Sequence, residues 1–437
     1  GSSATNAMAY VRGNKKDYDD WAALGNEGWD YASVLPYFKM SEKNQNFDSE
    51  FHGTDGPMYV SHAASPSNVA TAFVEACAQK GIPSNPDYNG AEQLGACLLQ
   101  FTIKNNKRHS TAAAFLKPII KRKNLMVLTH TYVKRVLLQS GVAVGVEVKN
   151  KNGQTEIYNC NKEVIVAAGA IQSPQILMLS GIGDKNELSK HGILAVTHLP
   201  GVGKNLQDHL ETYVQQECKT SDTLYSYINK LNMMRIGIQW FLSRTGPCST
   251  SFLEAGGFCK SSPEREYPNI QFHFFPAFVI DHGLVDPDRH GYQLHASPNH
   301  PKSRGHITLN SSNPYDYPKI KFNYLEHEDD LKQTIECIHV ARKILGQNSL
   351  KPFAGKETGP GEHVQTDELF EEYIRSKAET AYHPSCTLKM GTDNKAVVDE
   401  KLKIHGLENI RVVDASVMPE ITSGNLNAPT IMIAERA

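Results

Sequence analysis

The segment from Glu163 to Gly183 constrains the fold more than any other part of the chain. Its first six residues form a short apolar run, which predicts a fully buried β-strand. Gly169 follows, and the next residues predict an α-helix with Pro174 at its first position. A strand, a turn and a helix in this order indicate an α/β fold whose helix start offers free backbone N–H groups. The same spacing is also typical of plain α/β architecture without a ligand.

A complete dinucleotide-binding fingerprint is absent from the sequence. The two Gly-x-Gly pairs, at 181–183 and 201–203, each lack a third glycine at the required spacing. The chain therefore does not contain the usual glycine-rich turn that holds a pyrophosphate at a helix N-terminus.

Charge, hydropathy and cysteine usage exclude several classes of protein. The 437 residues carry a formal net charge of −2, which gives no electrostatic reason to expect nucleic acid or an anionic membrane as a partner. The most apolar stretch, 164–179, is interrupted by polar residues and is shorter than the ~20 residues of a membrane-spanning helix, so no transmembrane segment is predicted. The eight cysteines are scattered without a Cys-x-x-Cys pair, so no zinc or disulfide site is expected. This usage favours a reducing compartment. The expected location is the cytoplasm or the periphery of a membrane.

The second half of the chain has a different pattern. Alternating or aromatic runs at 270–278, 306–310 and 318–322 predict strands, and residues 329–345 predict an amphipathic helix. Strands grouped in this way predict a separate antiparallel sheet with helices on one side.

Further elements are predicted in the first half of the chain. They are helices at 65–80 and 110–120 with Ser65 and Ser110 as N-caps and Pro66 as a first helical residue, and strands at 125–138 and 142–148.

One histidine and two asparagines are candidate chemical groups. Pro384 keeps His383 extended and out of a helix, and a histidine held in a loop is a candidate base because its pKa lies near working pH. A structural role is the plainer interpretation of any one of eighteen histidines. Asn425 and Asn427 precede a predicted helix at 428–436, where asparagine is typical of caps and turns, and Asn427 is the candidate cap.

In this order, the motifs resemble the glucose–methanol–choline oxidoreductase family over nearly the whole chain. Residues 169–183 are similar to the family's second signature, and residues 1–13 to the end of its first signature. The other segments that carry the resemblance are Arg108–Ala112, Pro200–His209, Ser303–Gly305, Val412–Ala415 and Asn425–Thr430.

The resemblance implies oxidation of an alcohol by an enzyme with non-covalently bound FAD. Matched residue by residue, His383 takes the position of the catalytic histidine, and Asn425 that of a second active-site residue that is histidine or asparagine in the family. Asn427 is the alternative for that second role if the register is shifted by two. No metal site is implied. The residues implied to lie at FAD are Ser3, Ala4, Asn6, Val133, Asp414, Ala415, Asn427, Pro429 and Thr430.

The implied fold is α/β, with α+β character in the substrate part. A doubly wound FAD-binding domain would comprise residues 1–65, 107–217 and 381–437, and a substrate-binding domain with an antiparallel sheet flanked by helices would comprise 66–106 and 218–380. The family's N-terminal βαβ unit does not precede residue 1, so the FAD-binding domain is expected to be incomplete at its N-terminus. Thr5 occupies the position of a histidine that is joined covalently to flavin in some relatives, which excludes that linkage here.

The resemblance leaves several reactions open. Residues 382–387 and 423–433 are most similar to choline-dehydrogenase-type and aliphatic-alcohol-dehydrogenase-type members, which implies a primary alcohol as small-molecule substrate, an aldehyde product and a quinone-type electron acceptor. The alternatives are choline dehydrogenase proper, an alcohol oxidase that uses O2, a flavin-dependent lyase or decarboxylase, and a non-catalytic fragment unable to hold FAD.

A choline site would require an aromatic and acidic cage for the quaternary ammonium. The aromatic candidates are Phe272, Phe274, Phe275 and Trp29, and core packing explains the same residues.

Overall fold

A computed structural model describes residues 1–63 and 65–437. None of its helices within these ranges is long and apolar enough to cross a membrane. The α-helices are α1 (Lys15–Ala23), α2 (Tyr31–Ser41), α3 (Asn68–Gln79), α4 (Gly169–Leu179), α5 (Lys185–Ser189), α6 (Lys230–Ser243), α7 (Glu328–Leu345), α8 (Asp367–Lys377) and α9 (Asn427–Arg436). The strands are β1 (Glu42–Asn44), β2 (Met58–His62), β3 (Gly95–Leu98), β4 (Gln100–Phe101), β5 (Ile103–Lys104), β6 (Lys107–Arg108), β7 (Tyr132–Gln139), β8 (Val142–Lys149), β9 (Thr155–Asn159), β10 (Val164–Val166), β11 (Ile182–Gly183), β12 (Thr197–His198), β13 (Leu210–Cys218), β14 (Ala255–Cys259), β15 (Ile270–Phe275), β16 (Gly291–Pro298), β17 (His306–Thr308), β18 (Lys319–Lys321), β19 (Ala354–Gly359), β20 (Glu379–Thr380) and β21 (Ile410–Val412).

The predicted strand–turn–helix unit is present as β10 and α4, with two corrections. β10 pairs in parallel with β21, but it is not fully buried, because the side chain of Ile165 is 55% exposed. The helix begins at Gly169, whose φ of +85° suits glycine. Pro174 therefore lies inside α4 and not at its first position. The amide of Gly169 is also not free, because it donates to the carboxylate of Asp414.

A proline inside a helix leaves one carbonyl without its usual partner, four residues earlier. For Pro174 that carbonyl belongs to Ala170, and the buried hydroxyl of Thr387 donates to it at 2.6 Å. The hydrogen bond therefore joins α4 to the segment that follows His383.

Thr387→Val is expected to lower the free energy of unfolding by about 1–3 kcal/mol, because the carbonyl of Ala170 would stay buried without a donor. Chemical denaturation measures the change. Thr212→Val is the matched control, since the hydroxyl of Thr212 is buried without a hydrogen-bond partner among the described residues and its loss should be close to neutral. Equal stability of the two variants would contradict the expectation.

The largest sheet confirms the prediction of an antiparallel sheet with helices on one side. Its strand order is β19-β13-β16-β15-β14-β3, with β20 also paired to β13. Helices α3 and α7 pack on one face of it. The strands predicted at 306–310 and 318–322 are not part of this sheet, which corrects the prediction. They form the hairpin β17–β18, because Ile307 packs into a different apolar cluster.

The two faces of this sheet differ, because side chains alternate along each strand. Even-numbered positions of β13, β15 and β16 point to the apolar cluster beneath α3 and α7, where Phe274 stacks on Phe73 with ring centroids 4.6 Å apart. Odd-numbered positions carry polar side chains on the opposite face, and His273 lies directly across from His295. The polar side chains of this face include Glu211, Gln215, Gln271, His273, Gln293 and His295.

The four aromatic residues considered for a choline cage do not lie together. Phe272 and Phe274 belong to the apolar cluster, and Trp29 packs in another cluster beside Arg436. Phe275 alone lies on the polar face, with its ring centroid 4.5 Å from that of His295.

Three other local predictions need correction. The N-cap of α3 is Ser67 and not Ser65, so Pro66 precedes the helix. Residues 112–119 form π and 3₁₀ turns where an α-helix was expected, although the hydroxyl of Ser110 does accept from Ala113. The strand expected at 125–138 begins only at Tyr132.

The apolar core consists mainly of two separate clusters. One comprises residues from the two ends of the chain and from 136–206, and the other lies around the large sheet. Ile307 and Leu309 join the first cluster although they lie in the predicted substrate domain. The exact domain boundaries remain a prediction.

Candidate functional site

His383 and Asn425 meet although 42 residues separate them in sequence. The amide Nδ2 of Asn425 lies 3.0 Å from Nε2 of His383. The backbone N–H of His383 donates to the carboxylate of Asp208 at 2.8 Å, which fixes the loop that carries the imidazole. Gly424 allows the approach of Asn425, because a Cβ at its φ of +87° would lie 2.8 Å from Val11.

The tautomer of His383 follows from a chain of hydrogen bonds. Nε2 of His209 lies 2.9 Å from the carbonyl oxygen of Asn299, which can only accept, so this nitrogen carries the proton. Nδ1 of a neutral His209 is then an acceptor, and Nδ1 of His383 donates to it at 3.0 Å. Nε2 of His383 therefore carries no proton and has a lone pair that can accept a hydrogen bond.

The contacts of Asn425, at the other end of this series of hydrogen bonds, support the same tautomer of His383. Gln271 donates through Nε2 to Oδ1 of Asn425 at 3.1 Å. This contact turns the Nδ2 donor of Asn425 towards His383. Both ends thus agree that Nε2 of His383 accepts a hydrogen bond, which is what a general base needs.

Burial keeps both imidazoles neutral. The pKa of His383 lies well below its ordinary value, chiefly because burial penalises the charged ring and secondly because His209 is adjacent. Burial lowers the pKa of His209 to about 4. Burial raises the pKa of Asp208 to about 6, against the opposing hydrogen bonds from Thr380 and Tyr324.

A buried carboxylate lies on the polar face of the sheet near this pair. Glu211 accepts from Nδ1 of His273 at 2.9 Å and from Nδ1 of His295 at 3.0 Å. Burial alone would raise the pKa of Glu211, but these hydrogen bonds outweigh it and hold the pKa well below its ordinary value. The group is therefore ionised, and its charge acts on His383.

The two histidines that contact Glu211 differ in the contacts of their second ring nitrogen. The amide oxygen of Gln293 accepts from Gln215 and from the backbone of Val279, so its Nε2 donates to Nε2 of His295. His295 thus donates through one nitrogen and accepts through the other, the pattern of a neutral ring. Nε2 of His273 is buried without a hydrogen-bond partner among the described residues. Among the described residues, the carboxylate of Glu211 has two imidazoles as side-chain partners and forms no ion pair with a lysine or arginine.

The predicted FAD residues at the N-terminus lie together. Ser3 and Ala4 are in a 3₁₀ turn at 2–4, and the hydroxyl of Ser3 lies 2.8 Å from that of Thr111. Arg108 donates to the backbone and side-chain oxygens of Asn6 at 2.6 and 2.9 Å. Two segments that carry the family resemblance therefore meet in space.

The predicted FAD residues at the C-terminus form the start of α9. Asn427 is the first residue of the helix and does not cap it, which corrects the capping interpretation. Leu426 precedes it without a side-chain cap, so the first amides of the helix are free of side-chain acceptors. Pro429 lies within the first turn, and the hydroxyl of Thr430 donates to the carbonyl of Leu426.

An uncapped helix start and an orphaned amide suit an anionic, hydrogen-bonding cofactor. Nδ2 of Asn427 is buried and has no hydrogen-bond partner within the part of the chain that the structure describes. A buried donor of this kind requires an explanation. Because Asn427 is two residues from Asn425, a polar ring system beside the His383–Asn425 pair would supply the missing acceptor, and these residues fit FAD.

The remaining predicted residues differ in their position. Ala415 lies close to the His383 loop, since its carbonyl accepts from the backbone of Cys386 at 3.1 Å. Asp414 has its carboxylate occupied by Ser173, Gly169 and Ser416. Val133 lies in β7 of the three-stranded sheet β7-β8-β9, away from the strands that carry Glu211 and Gln271.

Several site residues had no assigned role in the sequence analysis. They are His209, Glu211, Gln271, His273 and His295. The available signal was the alternation of polar and apolar residues along the strands, as in Gln271 and His273, which alternate with Ile270, Phe272 and Phe274. Sequence alone does not show that β13, β15 and β16 are neighbours, so it does not bring these side chains together.

Comparison with known proteins agrees with the geometry. Models of the N- and C-terminal parts of GMC oxidoreductases match residues 1–211 and 301–434. The chain is 48% identical to "Choline dehydrogenase, mitochondrial" of Homo sapiens over 439 residues, covering all of this chain and 74% of that protein. It is 45% identical to "Oxygen-dependent choline dehydrogenase" of Brucella ovis, covering all of this chain and 80% of that protein.

A solved structure shows the same fold. The crystal structure of pyridoxine 4-oxidase from Mesorbium loti superposes with a TM-score of 0.89 at 28% identity, covering all of this chain and 82% of that one. The chain therefore belongs to the glucose–methanol–choline oxidoreductase family and is an FAD-dependent oxidoreductase that acts on CH–OH groups.

Proposed function

We propose that this enzyme oxidises a primary alcohol to the aldehyde, with His383 as the base and a quinone-type compound as the final electron acceptor. The observation that carries the proposal is the hydrogen-bond chain that leaves a lone pair on Nε2 of His383 next to the amide of Asn425. Bound FAD supplies the hydride acceptor.

Residues of the chain accept the proton of the substrate hydroxyl and position the alcohol. The substrate hydroxyl replaces the amide of Asn425 as the donor to Nε2 of His383, and the proton passes to this nitrogen as the carbon loses hydride. Asn425 then donates to the alcohol oxygen and fixes the carbon relative to the base. The charged imidazole that results lies within reach of the field of Glu211, which stabilises it.

Nine residues would hold the cofactor in this proposal. Ser3, Ala4 and Asn6 act from the N-terminal turn, and Asn427, Pro429 and Thr430 from the start of α9, where the helix dipole favours negative charge. Asp414, Ala415 and Val133 complete the set.

A cationic alcohol such as choline is the favoured substrate. The buried carboxylate of Glu211 has two histidines and no lysine or arginine as described partners, and burying a charge without a full counter-charge is costly. A quaternary ammonium beside it would offset this cost, with the ring of Phe275 on the same face as an aromatic neighbour. Two relatives whose names include choline dehydrogenase support the same choice.

Electron transfer to a quinone is tested with the FAD-loaded enzyme. We expect faster choline oxidation with a soluble ubiquinone analogue under anaerobic conditions than with O2 alone. The dehydrogenase name of the human relative and the similarity of residues 382–387 to dehydrogenase-type members support this expectation. Equal or faster turnover with O2 alone would instead identify an oxidase. Failure of alcohol to bleach FAD without any acceptor would point to a lyase or decarboxylase, or to an inert fragment.

A further inference from the structure

Helix α6 exposes an apolar stripe to solvent. At 3.6 residues per turn, five of its side chains fall on one face about 100° wide. They are 52–77% exposed. A helix that packs on its own protein normally turns such a stripe inwards, and α6 has no buried residue. The members of the stripe are Leu231, Met234, Ile238, Phe241 and Leu242.

The opposite face of α6 is anchored, so the exposure does not come from a detached helix. Nε1 of Trp240 donates to the carbonyl of Asn106 at 3.0 Å, and the side chain of Asn106 donates to the carbonyl of Arg244 at 2.7 Å. The guanidinium of Arg244 stacks on Trp240 at 4.0 Å, and Lys107 approaches the same ring. The fold thus holds the stripe outwards.

The charge around the stripe has one sign. Residues 223–253 contain Lys230, Arg235 and Arg244 and no aspartate or glutamate. The net charge of −2 for the whole chain gave no reason to expect an anionic partner, but this local distribution does. Apolar side chains flanked by cations on one helix are the pattern of a helix that lies in the interface of an anionic bilayer.

We propose that α6 docks the protein on an anionic lipid surface, with the apolar stripe in the interface and its cations among the headgroups. This surface is separate from the alcohol-oxidising pair, so the two assignments are tested independently. It adds a membrane contact that needs no spanning segment.

Vesicle sedimentation of the FAD-loaded protein tests the proposal. We expect binding to vesicles of phosphatidylcholine mixed with phosphatidylglycerol, weaker binding to phosphatidylcholine alone, and a decline with salt. The double variant Phe241→Ser/Leu242→Ser should lower the partition coefficient by about tenfold or more. The pair Lys230→Glu/Arg235→Glu should remove the preference for phosphatidylglycerol.

Leu194→Ser is the matched control, since Leu194 is 85% exposed and lies outside α6. It should bind vesicles like the unmodified protein, and all variants should keep its thermal midpoint and its anaerobic FAD bleaching by alcohol. Vesicle binding that is absent in the unmodified protein, or unaffected by the α6 substitutions, would overturn the proposal. So would a lipid-free dimer that Phe241→Ser/Leu242→Ser converts to monomer, because a second copy would then cover the stripe.

Discussion

Replacing His383 with alanine is expected to slow the reduction of bound FAD by alcohol by roughly 10²–10⁴-fold. The substitution removes the nitrogen that would take the hydroxyl proton, and the hydrogen bonds of His209 and Asn425 lose their common partner. FAD should stay bound, because the proposed cofactor residues lie at the N-terminal turn and at the start of α9. Anaerobic stopped-flow absorbance measures the bleaching rate directly.

His405→Ala serves as the control for loss of an imidazole. His405 hydrogen-bonds the carbonyl of Gly391 at 3.0 Å and has no part in the His209–His383–Asn425 chain. Its variant should bleach at the rate of the unmodified enzyme. Bleaching of His383→Ala at that same rate would show that another group, or water, takes the proton.

Replacing Glu211 with glutamine is expected to reduce kcat/KM for choline on the order of a hundredfold, because removing one partner of a buried charge pair is costly. The same variant should lose much less activity with 3,3-dimethyl-1-butanol, which has the shape of choline without its charge, because only the stabilisation of the charged His383 imidazole is then lost. Steady-state kinetics give kcat/KM for each alcohol, and the ratio of the two values measures the contribution of the substrate's positive charge.

The comparison of the two alcohols separates recognition from folding. A structural defect would lower the rates with both substrates by the same factor, and an equal loss with both, or no loss, would show that Glu211 does not recognise the cation. Glu211→Asp keeps the charge on a shorter side chain and should recover part of the preference for choline. The FAD content and the thermal midpoint of each variant show whether it is folded and loaded with cofactor.

Sequence patterns predicted much of the fold because they depend on local periodicity. The aromatic run of β15, the helix α7 and the turn after β10 all follow from spacing. Local spacing did not predict the exposure of Ile165, because exposure depends on which strands lie beside it. It also did not predict that Pro174 lies inside α4, where the carbonyl of Ala170 accepts a hydrogen bond from Thr387, which is 213 residues from Pro174.

The site was predicted only in part for the same reason. Family resemblance pointed to His383 and Asn425, and Nε2 of His383 lies 3.0 Å from Nδ2 of Asn425. The direction of the hydrogen-bond chain depends on the carbonyl of Asn299 and the amide of Gln271, and no local pattern places these beside a loop at 383. The roles of all these residues remain predictions that the variants test.

The division of the large sheet into a packed face and a polar face also bears on how such enzymes diversify. Since neighbouring positions of one strand point to opposite faces, Gln271 and His273 can change without altering the packing of Phe272 and Phe274 beneath α3. A library restricted to Gln271, His273, Gln293 and His295 would therefore explore new alcohols at less risk to folding than one at the even-numbered positions. Gene duplicates have the same route to a new substrate, by steps of two residues along a strand.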